Sequence, residues 1–149
     1  MKQACTVIFF LYSLLTASAL NVGLGHSRHG KSITVTIECS RKCESKNCGL
    51  PPILRYGKYC GLLYSGCPGE KPCDGLDACC MVHDACVRST GDDYLSVSCN
   101  RNFLQCISVF KNSNRPSFLG NTCSVREVID VVSDIIQTAI IAGRKMHHN

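Results

Sequence analysis

The stretch Cys79-Cys80-Met81-Val82-His83-Asp84-Ala85-Cys86 decides how this chain folds and where its chemistry lies. It places an imidazole beside a carboxylate and flanks both with cysteines. Adjacent positions on an α-helix differ by about 100° in direction, so His83 and Asp84 point to different neighbours. If the cysteines form disulfides, both groups sit on a rigid element, as a catalytic site requires. The stretch therefore predicts a catalytic helix.

The cysteine spacing predicts a second helix that runs antiparallel to the first. Cys79 and Cys86 are seven residues apart, two turns on one helix face, and so are Cys99 and Cys106. Facing residues of an antiparallel pair have residue numbers with a nearly constant sum. Pairing Cys86 with Cys99 and Cys79 with Cys106 gives the same sum twice. We therefore expect two disulfides that cross one interface in one register.

Asn100 falls within two residues of this register when it is paired with His83. Its amide oxygen is then placed to accept a hydrogen bond from one imidazole nitrogen. That bond would fix the tautomer and leave the other nitrogen as a base near neutral pH. Asp84, which points elsewhere, suits a hard cation. Calcium takes about 6–8 oxygens, so backbone carbonyls or water must supply the remaining ligands.

Capping residues set the expected bounds of the first two helices. The first begins at Asp74 or Gly75 and ends at residue 90, before a capping Gly91. The second follows a cap at Asp92 or Asp93 and ends near residue 111. Its inner face is expected to consist of Leu95, Cys99, Phe103, Cys106 and Phe110.

A third helix is predicted near the end of the chain. The capping box Ser124-Val125-Arg126-Glu127 opens it, and Gly143 with the basic Arg144-Lys145 ends it. An apolar face at helical spacing is expected to pack on the core, and consists of Val128, Val132, Ile135, Ile136, Ala139 and Ile140.

The composition indicates a small disulfide scaffold. The chain has 149 residues, 13 of them cysteine, and a formal net charge of +5. That cysteine content is typical of small secreted domains. The modest charge argues against a nucleic-acid-binding protein, and no Walker or Rossmann glycine pattern is present.

Residues 1–19, at the N-terminus, have the sequence pattern of a signal peptide. Met1-Lys2 precedes an apolar run at residues 7–15, and Ala17-Ser18-Ala19 favours cleavage after Ala19. The alternative, a transmembrane anchor, needs roughly 20 apolar residues, more than the run supplies. Cleavage would remove Cys5 and leave twelve cysteines, an even number, in a single domain at residues 20–149. Ile33-Thr34-Val35-Thr36-Ile37 predicts a short strand in that domain.

Residues 39–75 are rich in cysteine, glycine and proline and are expected to form loops and short helical turns. Within them, Tyr56-Gly57-Lys58-Tyr59-Cys60-Gly61 and Ser65-Gly66-Cys67-Pro68-Gly69 are punctuated by glycine. With bridges at Cys60 and Cys67, this loop is free to turn carbonyls toward a cation held by Asp84. We therefore expect it to supply the backbone ligands.

These residues resemble those of secreted, calcium-dependent phospholipase A2, most closely the plant branch of that family. The resemblance rests on the loop at residues 56–61, the helix motif at 79–86 and Cys99-Asn100-Arg101-Asn102, and it covers about residues 56–106. It implies a mainly α, disulfide-rich fold with two long antiparallel helices, a calcium-binding loop and a C-terminal helix. It also implies hydrolysis of the sn-2 ester of phospholipids, with release of a fatty acid and a lysophospholipid.

The resemblance also assigns roles to individual residues. His83 would be the general base that deprotonates water, with Asn100 orienting its ring. Calcium would be bound by the Asp84 carboxylate and by the main-chain carbonyls of Tyr59, Gly61 and a third loop residue. The backbone N–H of Gly61 would help to hold the oxyanion. We expect a monomer acting on membranes or micelles, secreted or in the lumen of the secretory pathway, without nucleic acid and without a transmembrane segment.

Three departures from the family pattern qualify these expectations. Aspartate is usual where Asn100 stands, so activity is expected to survive with a shifted pH optimum. Leu63-Tyr64 replaces an expected glycine pair, and the third carbonyl is assigned to Tyr64, with Leu63 as the alternative. Animal members of the family begin with an amphipathic helix that contacts lipid, but the sequence before Cys39 predicts no such helix. We therefore expect the lipid-contacting surface to use Leu62, Leu63 and the C-terminal helix.

Two rival interpretations fit parts of this pattern. Cys79 or Cys80 with His83 and Cys86 has the spacing of a helical zinc site, but an oxidising compartment favours disulfides. A non-catalytic module with the same scaffold would bind lipid or a receptor without turnover. Loss of His83 or Asp84 would mark that class, and both are present.

Overall fold

The computed structural model describes residues 38–146, which form three helices and two small sheets. The mainly α fold expected from the sequence is confirmed. The elements in chain order are β1 (Glu38–Ser40), β2 (Glu44–Lys46), β3 (Arg55–Gly57), β4 (Tyr64–Gly66), α1 (Gly75–Ser89), α2 (Val97–Asn112) and α3 (Val125–Met146).

The sheets tie the cysteine-rich half of the chain together. Strand β1 pairs in parallel with β4, and β2 pairs antiparallel with β3. We expected loops and helical turns here, and that expectation was wrong for these four segments. The Cys39–Cys67 disulfide holds β1 beside β4, and in both sheets backbone groups that a loop would leave to water pair with each other instead.

Helix α1 begins where predicted and ends at Ser89, one residue before the predicted end. Asp74 is its N-cap, and the Asp74 side chain accepts a hydrogen bond from the backbone N–H of Asp77. At the other end, Gly91 has φ +74° and donates to the carbonyl of Arg88, while Asp92 donates to Val87. These two bonds form a Schellman motif, which requires the left-handed conformation that glycine adopts freely.

Helix α2 begins later than predicted. Its N-cap is Ser96, whose side chain accepts from the N–H of Cys99, and not Asp92 or Asp93. The Asp93 carboxylate instead accepts from the N–H of Leu95 and closes a local turn. Leu95 consequently lies ahead of the helix, whereas the rest of the predicted inner face lies within it.

Helix α3 continues past Gly143, the residue at which the sequence predicted its end. Gly143 is buried inside the helix, which continues to Met146. A Cβ at Gly143 would collide with the carbonyl oxygen of Leu95. This glycine therefore allows α3 to approach the segment ahead of α2, and does not terminate the helix. The N-terminal cap is as predicted, since Ser124 accepts from the N–H of Glu127.

Six disulfides join the twelve cysteines of the described residues. Cys79–Cys106 and Cys86–Cys99 cross between α1 and α2, so the predicted pairing is confirmed and the helices are antiparallel. The other four are Cys39–Cys67, Cys43–Cys73, Cys48–Cys123 and Cys60–Cys80.

The hydrophobic core lies where α2 packs against both α1 and α3. Its members include Leu76 and Phe103, and the predicted apolar face of α3 supplies Val128, Val132, Ile136 and Ile140. Two polar side chains, Asp77 and Asn100, are fully buried within this frame. Such groups require hydrogen-bond partners, and both have them, as described below.

Several expectations concern residues outside 38–146. The signal peptide at residues 1–19, the start of the domain at residue 20 and the strand at residues 33–37 all lie there. Among the residues that the structure describes, no helix is long and apolar enough to cross a membrane.

Candidate active site

His83 lies on α1 and faces α2, within the interface that the two disulfides cross. Its Nε2 is 2.8 Å from Oδ1 of Asn100, so the contact predicted from the cysteine register is present. The ring stacks on Phe103, with centroids 4.4 Å apart and planes 15° apart. Burial lowers the pKa of His83, and the hydrogen bond with Asn100 opposes that shift. A neutral imidazole with one nitrogen engaged by Asn100 is a suitable proton acceptor.

Asp84 has a buried carboxylate oxygen without a partner. Its Oδ2 makes no hydrogen bond with any residue in 38–146. Burial raises the pKa of Asp84 to about 7, against a hydrogen bond with Ser65 and the charge of Arg88, which both lower it. Buried carboxylates are normally paired, hydrogen-bonded or bound to metal. An unsatisfied oxygen of this kind fits a cation.

The loop before α1 is fastened to that helix at two points. Cys60 is bridged to Cys80, which lies one helical turn before Asp84 and on the same face. The buried Asp77 carboxylate accepts hydrogen bonds from the backbone N–H groups of Lys58 and Tyr59, the latter at 2.8 Å. These contacts fix the backbone on both sides of Tyr59.

Gly57 is required at the start of this loop. Its φ is +65°, and a Cβ there would collide with the Asp77 carboxylate. Any other residue would both strain the backbone and displace the group that holds the loop.

The expected backbone ligands are only partly brought together. Tyr59 and Gly61 line the same cleft as His83 and Asp84, whereas Tyr64, in β4, and Leu63 are not among its lining residues. Within residues 38–146, no backbone or side-chain donor bonds to the carbonyl oxygens of Tyr59 and Gly61. The choice between Tyr64 and Leu63 as the third ligand stays a prediction.

The zinc interpretation is excluded for the described residues. Cys79, Cys80 and Cys86 are all in disulfides. Nor do residues 38–146 contain a cluster of three or more histidine, cysteine, aspartate or glutamate residues that could hold a metal. A cation beside Asp84 would therefore take most of its ligands from backbone carbonyls and water.

His83 and Asp84 line an apolar cleft of about 220 Å³. No lysine or arginine of the described residues lines it. One wall is the α3 face, and other lining residues come from the turn after β2 and from the segment ahead of α2. The apolar lining residues include Pro51, Pro52, Leu54, Leu62, Leu95, Phe103, Val132, Ile135, Ile136 and Ala139. This lining suits a hydrocarbon chain.

Sequence reasoning missed three contacts at the site. The ring that stacks on His83 could have been found, because Phe103 lies within one residue of the disulfide register when paired with His83. The Ser65 side chain, whose hydrogen bond lowers the pKa of Asp84, lies far from Asp84 in the sequence. No local sequence pattern predicts this contact. The Tyr94 carbonyl, which accepts from the Asn100 side chain, is a backbone atom that every residue carries.

Comparisons with known proteins agree on one family. The chain is 57% identical to Phospholipase A2-alpha of Arabidopsis thaliana over 136 residues, 91% of this chain and 90% of the relative. It is 53% identical over 130 residues to Phospholipase A2 homolog 3 of Oryza sativa subsp. japonica, 87% of this chain and 77% of the relative. No family model matches the sequence.

Solved structures of rice PLA2 share the fold. One has a TM-score of 0.70 at 55% identity and covers 74% of this chain and 88% of its own. Another, a complex with octanoic acid, has a TM-score of 0.69 at the same identity and covers 74% and 94%.

Proposed function

This chain belongs to the secreted phospholipase A2 family, in its plant branch, and is a phospholipase A2; we propose that His83 is the general base of its reaction. The reaction would cleave the sn-2 ester of a glycerophospholipid to a free fatty acid and a lysophospholipid. The observation that carries the proposal is one cleft lined by an oriented imidazole and by a carboxylate with an unsatisfied oxygen.

In this mechanism His83 removes a proton from the attacking water. Burial lowers the pKa of the ring, so the neutral, proton-accepting form predominates at neutral pH. Asn100 and the stacked Phe103 hold the ring in one orientation. A base fixed in this way contributes about 10²–10⁴-fold to the rate.

Calcium is the cofactor we propose, and the residues of the site fit it. Asp84 would hold the ion with its carboxylate, and Tyr59, Gly61 and Tyr64 with their main-chain carbonyls, Leu63 being the alternative to Tyr64. A calcium ion bound there supplies a Lewis acid for the ester carbonyl and a counter-charge for the phosphate. The backbone N–H of Gly61 would donate to the developing oxyanion.

We propose that the acyl chain lies in the apolar cleft. Phe103, Val132 and Ile136 would contact it, and their burial of hydrocarbon supplies the binding free energy. A rice PLA2 structure is a complex with octanoic acid, a fatty acid and so of the same class as one product, which supports binding of an acyl chain by this fold.

We propose that the cleft opens onto a phospholipid surface. Leu50 and Ile53 are 57% and 52% exposed and flank the cleft-lining Pro51 and Pro52, and Leu62 is also exposed. Exposed apolar residues continuous with a lipid cleft mark a membrane contact. Because the cleft lining lacks basic residues, we expect this binding to depend weakly on salt.

We also propose the cellular setting. Residues 1–19 would be removed, and residues 20–149 would act as one monomeric domain. Six disulfides require an oxidising compartment, which is outside the cell or in the secretory pathway.

The first test is hydrolysis of phospholipid labelled separately at its two acyl positions. EDTA is expected to abolish release of the sn-2 fatty acid, and excess calcium to restore it. The substitution His83→Asn is expected to keep the fold and calcium binding while turnover falls by about 10²-fold or more. Activity that resists the chelator would remove calcium from the mechanism, and a fully active His83→Asn would show that the base is another residue.

A further inference from the structure

We infer that the backbone carbonyl of Tyr94 sets the orientation of the Asn100 amide, and through it the tautomer of His83. It follows that aspartate, the usual residue of the family at this position, cannot replace Asn100 in this chain without a loss of activity. The inference rests on the proposed function, in which His83 is the base. In it Asn100 is a positioning residue.

The hydrogen bonds allow one arrangement of the amide. Asn100 is fully buried, its Nδ2 is 3.0 Å from the Tyr94 carbonyl oxygen, and its Oδ1 is 2.8 Å from Nε2 of His83. A carbonyl oxygen only accepts hydrogen bonds, so the NH₂ group must face Tyr94. A flipped amide would place two acceptors against each other in a buried site.

The amide orientation determines where the imidazole proton resides. Oδ1 of Asn100 only accepts, so Nε2 of His83 must be the nitrogen that carries the proton. In the neutral ring the other nitrogen, Nδ1, then holds the free lone pair. The Tyr94 carbonyl thereby assigns the role of base to Nδ1.

Tyr94 itself is held by a network of turn contacts. Its N–H donates to the carbonyl of Asp92, and the next residue, Leu95, donates to the Asp93 carboxylate. Helix α3 brings Gly143 close to the Leu95 carbonyl. Turning the Tyr94 carbonyl to accommodate a different side chain at residue 100 would therefore disturb these contacts.

An aspartate at residue 100 has the shape of asparagine but no donor. One carboxylate oxygen would accept from His83, and the other would face the Tyr94 carbonyl at hydrogen-bond distance. Both would be buried, and a buried carboxylate without sufficient donors is strongly disfavoured. The variant must protonate or move, and either change releases the ring from its fixed position.

The first experiment measures the tautomer in the unaltered protein. Imidazole ¹⁵N shifts of His83 would be recorded by NMR at a pH where the ring is neutral, with calcium and with EDTA. We expect a single tautomer protonated at Nε2 in both. A tautomer protonated at Nδ1, or a mixture, would overturn the inference whatever the activity of the enzyme.

The second experiment compares two identical chemical changes on α2. Asn100→Asp is expected to lower kcat on monomeric short-chain phosphatidylcholine about tenfold or more, with KM within about twofold. Asn102→Asp, at an exposed position two residues away, is expected to match the parent. An Asn100→Asp variant as active as the parent would refute the inference.

Failure of this inference and failure of the proposed function are separable. If Asn100→Asp does not fold, the tautomer measurement alone decides. If His83→Asn retains activity, the base assignment fails, yet the ¹⁵N shifts still report whether Tyr94 and Asn100 fix the ring.

Discussion

Asp84 combines two properties that the fold alone does not explain. Its carboxylate is largely enclosed, and one oxygen has no partner within residues 38–146. Burial raises its pKa to about 7, so the fold disfavours the charged form. A buried carboxylate without a partner lowers the free energy of unfolding unless it binds a group such as a cation.

The substitution Asp84→Asn tests the link between this residue and calcium. Without calcium the variant is expected to be no less stable than the parent, because the amide removes the buried charge. In the parent, calcium at about 100 times its Kd should add about 2.7 kcal/mol to the free energy of unfolding, and in Asp84→Asn this gain should vanish. Thermal unfolding with calcium and with EDTA measures both effects.

Asp134→Asn is the control, since Asp134 is an exposed residue of α3 and should leave the calcium response intact. Equal stabilisation of parent and Asp84→Asn by calcium would mean that the ion binds elsewhere.

At the scale of residues, the sequence predicted contacts that follow helical geometry. His83 and Asn100 meet because two cysteine pairs fix the register of their helices. The Tyr94 carbonyl and the Ser65 hydroxyl were not predicted, because they reach the site from a turn and from strand β4. The path of such segments depends on tertiary contacts, which no local periodicity encodes.

At the scale of elements, the helix cores were predictable and two of their ends were not. Asp93 has a good capping side chain, but it closes its own turn and leaves the cap of α2 to Ser96. Gly143 resembles a helix stop, but a buried contact requires a glycine there. Both residues are suited to two roles, and only the tertiary structure selects between them.

Gly143→Ala separates these two roles of glycine. Alanine in a helix interior normally adds about 1 kcal/mol of stability over glycine. Here the added Cβ meets the Leu95 carbonyl, so we expect a loss of about 1–3 kcal/mol in denaturant unfolding. We also expect a lower kcat, because the displaced segment carries the Tyr94 carbonyl.

Gln137→Ala, at an exposed site on the same helix, should change stability by no more than about 0.5 kcal/mol. A stabilised Gly143→Ala would show that the close approach between α3 and Leu95 is absent in solution.

At the scale of the whole molecule, exposed apolar residues from distant segments surround one cleft. The sequence predicted part of this surface, through Leu62 and the C-terminal helix. It did not predict that the turn with Leu50 and Ile53 belongs to this surface, because the turn joins the cleft only through the tertiary fold.

Charged substitutions in that turn test the proposed contact with lipid. Leu50→Asp and Ile53→Asp are each expected to weaken binding to phosphatidylcholine vesicles about tenfold, because buried apolar area is lost. Hydrolysis of monomeric short-chain substrate should be unchanged. Vesicle flotation and a monomeric-substrate assay measure the two properties.

Val109→Asp and Leu119→Asp serve as matched controls. Both residues are at least as exposed, at 66% and 102%, but neither is a sequence neighbour of a cleft-lining residue, as Leu50 and Ile53 are. If all four variants weakened vesicle binding equally, the turn would have no special part in membrane contact.

The Cys60–Cys80 bridge has a practical consequence for anyone who makes this protein recombinantly. It joins the residue between Tyr59 and Gly61 to the helix that carries His83 and Asp84. Refolded material with scrambled partners at this pair should be inert even when its circular dichroism looks native. A preparation's specific activity would then report correct oxidation of this one bond more sensitively than any measure of helix content.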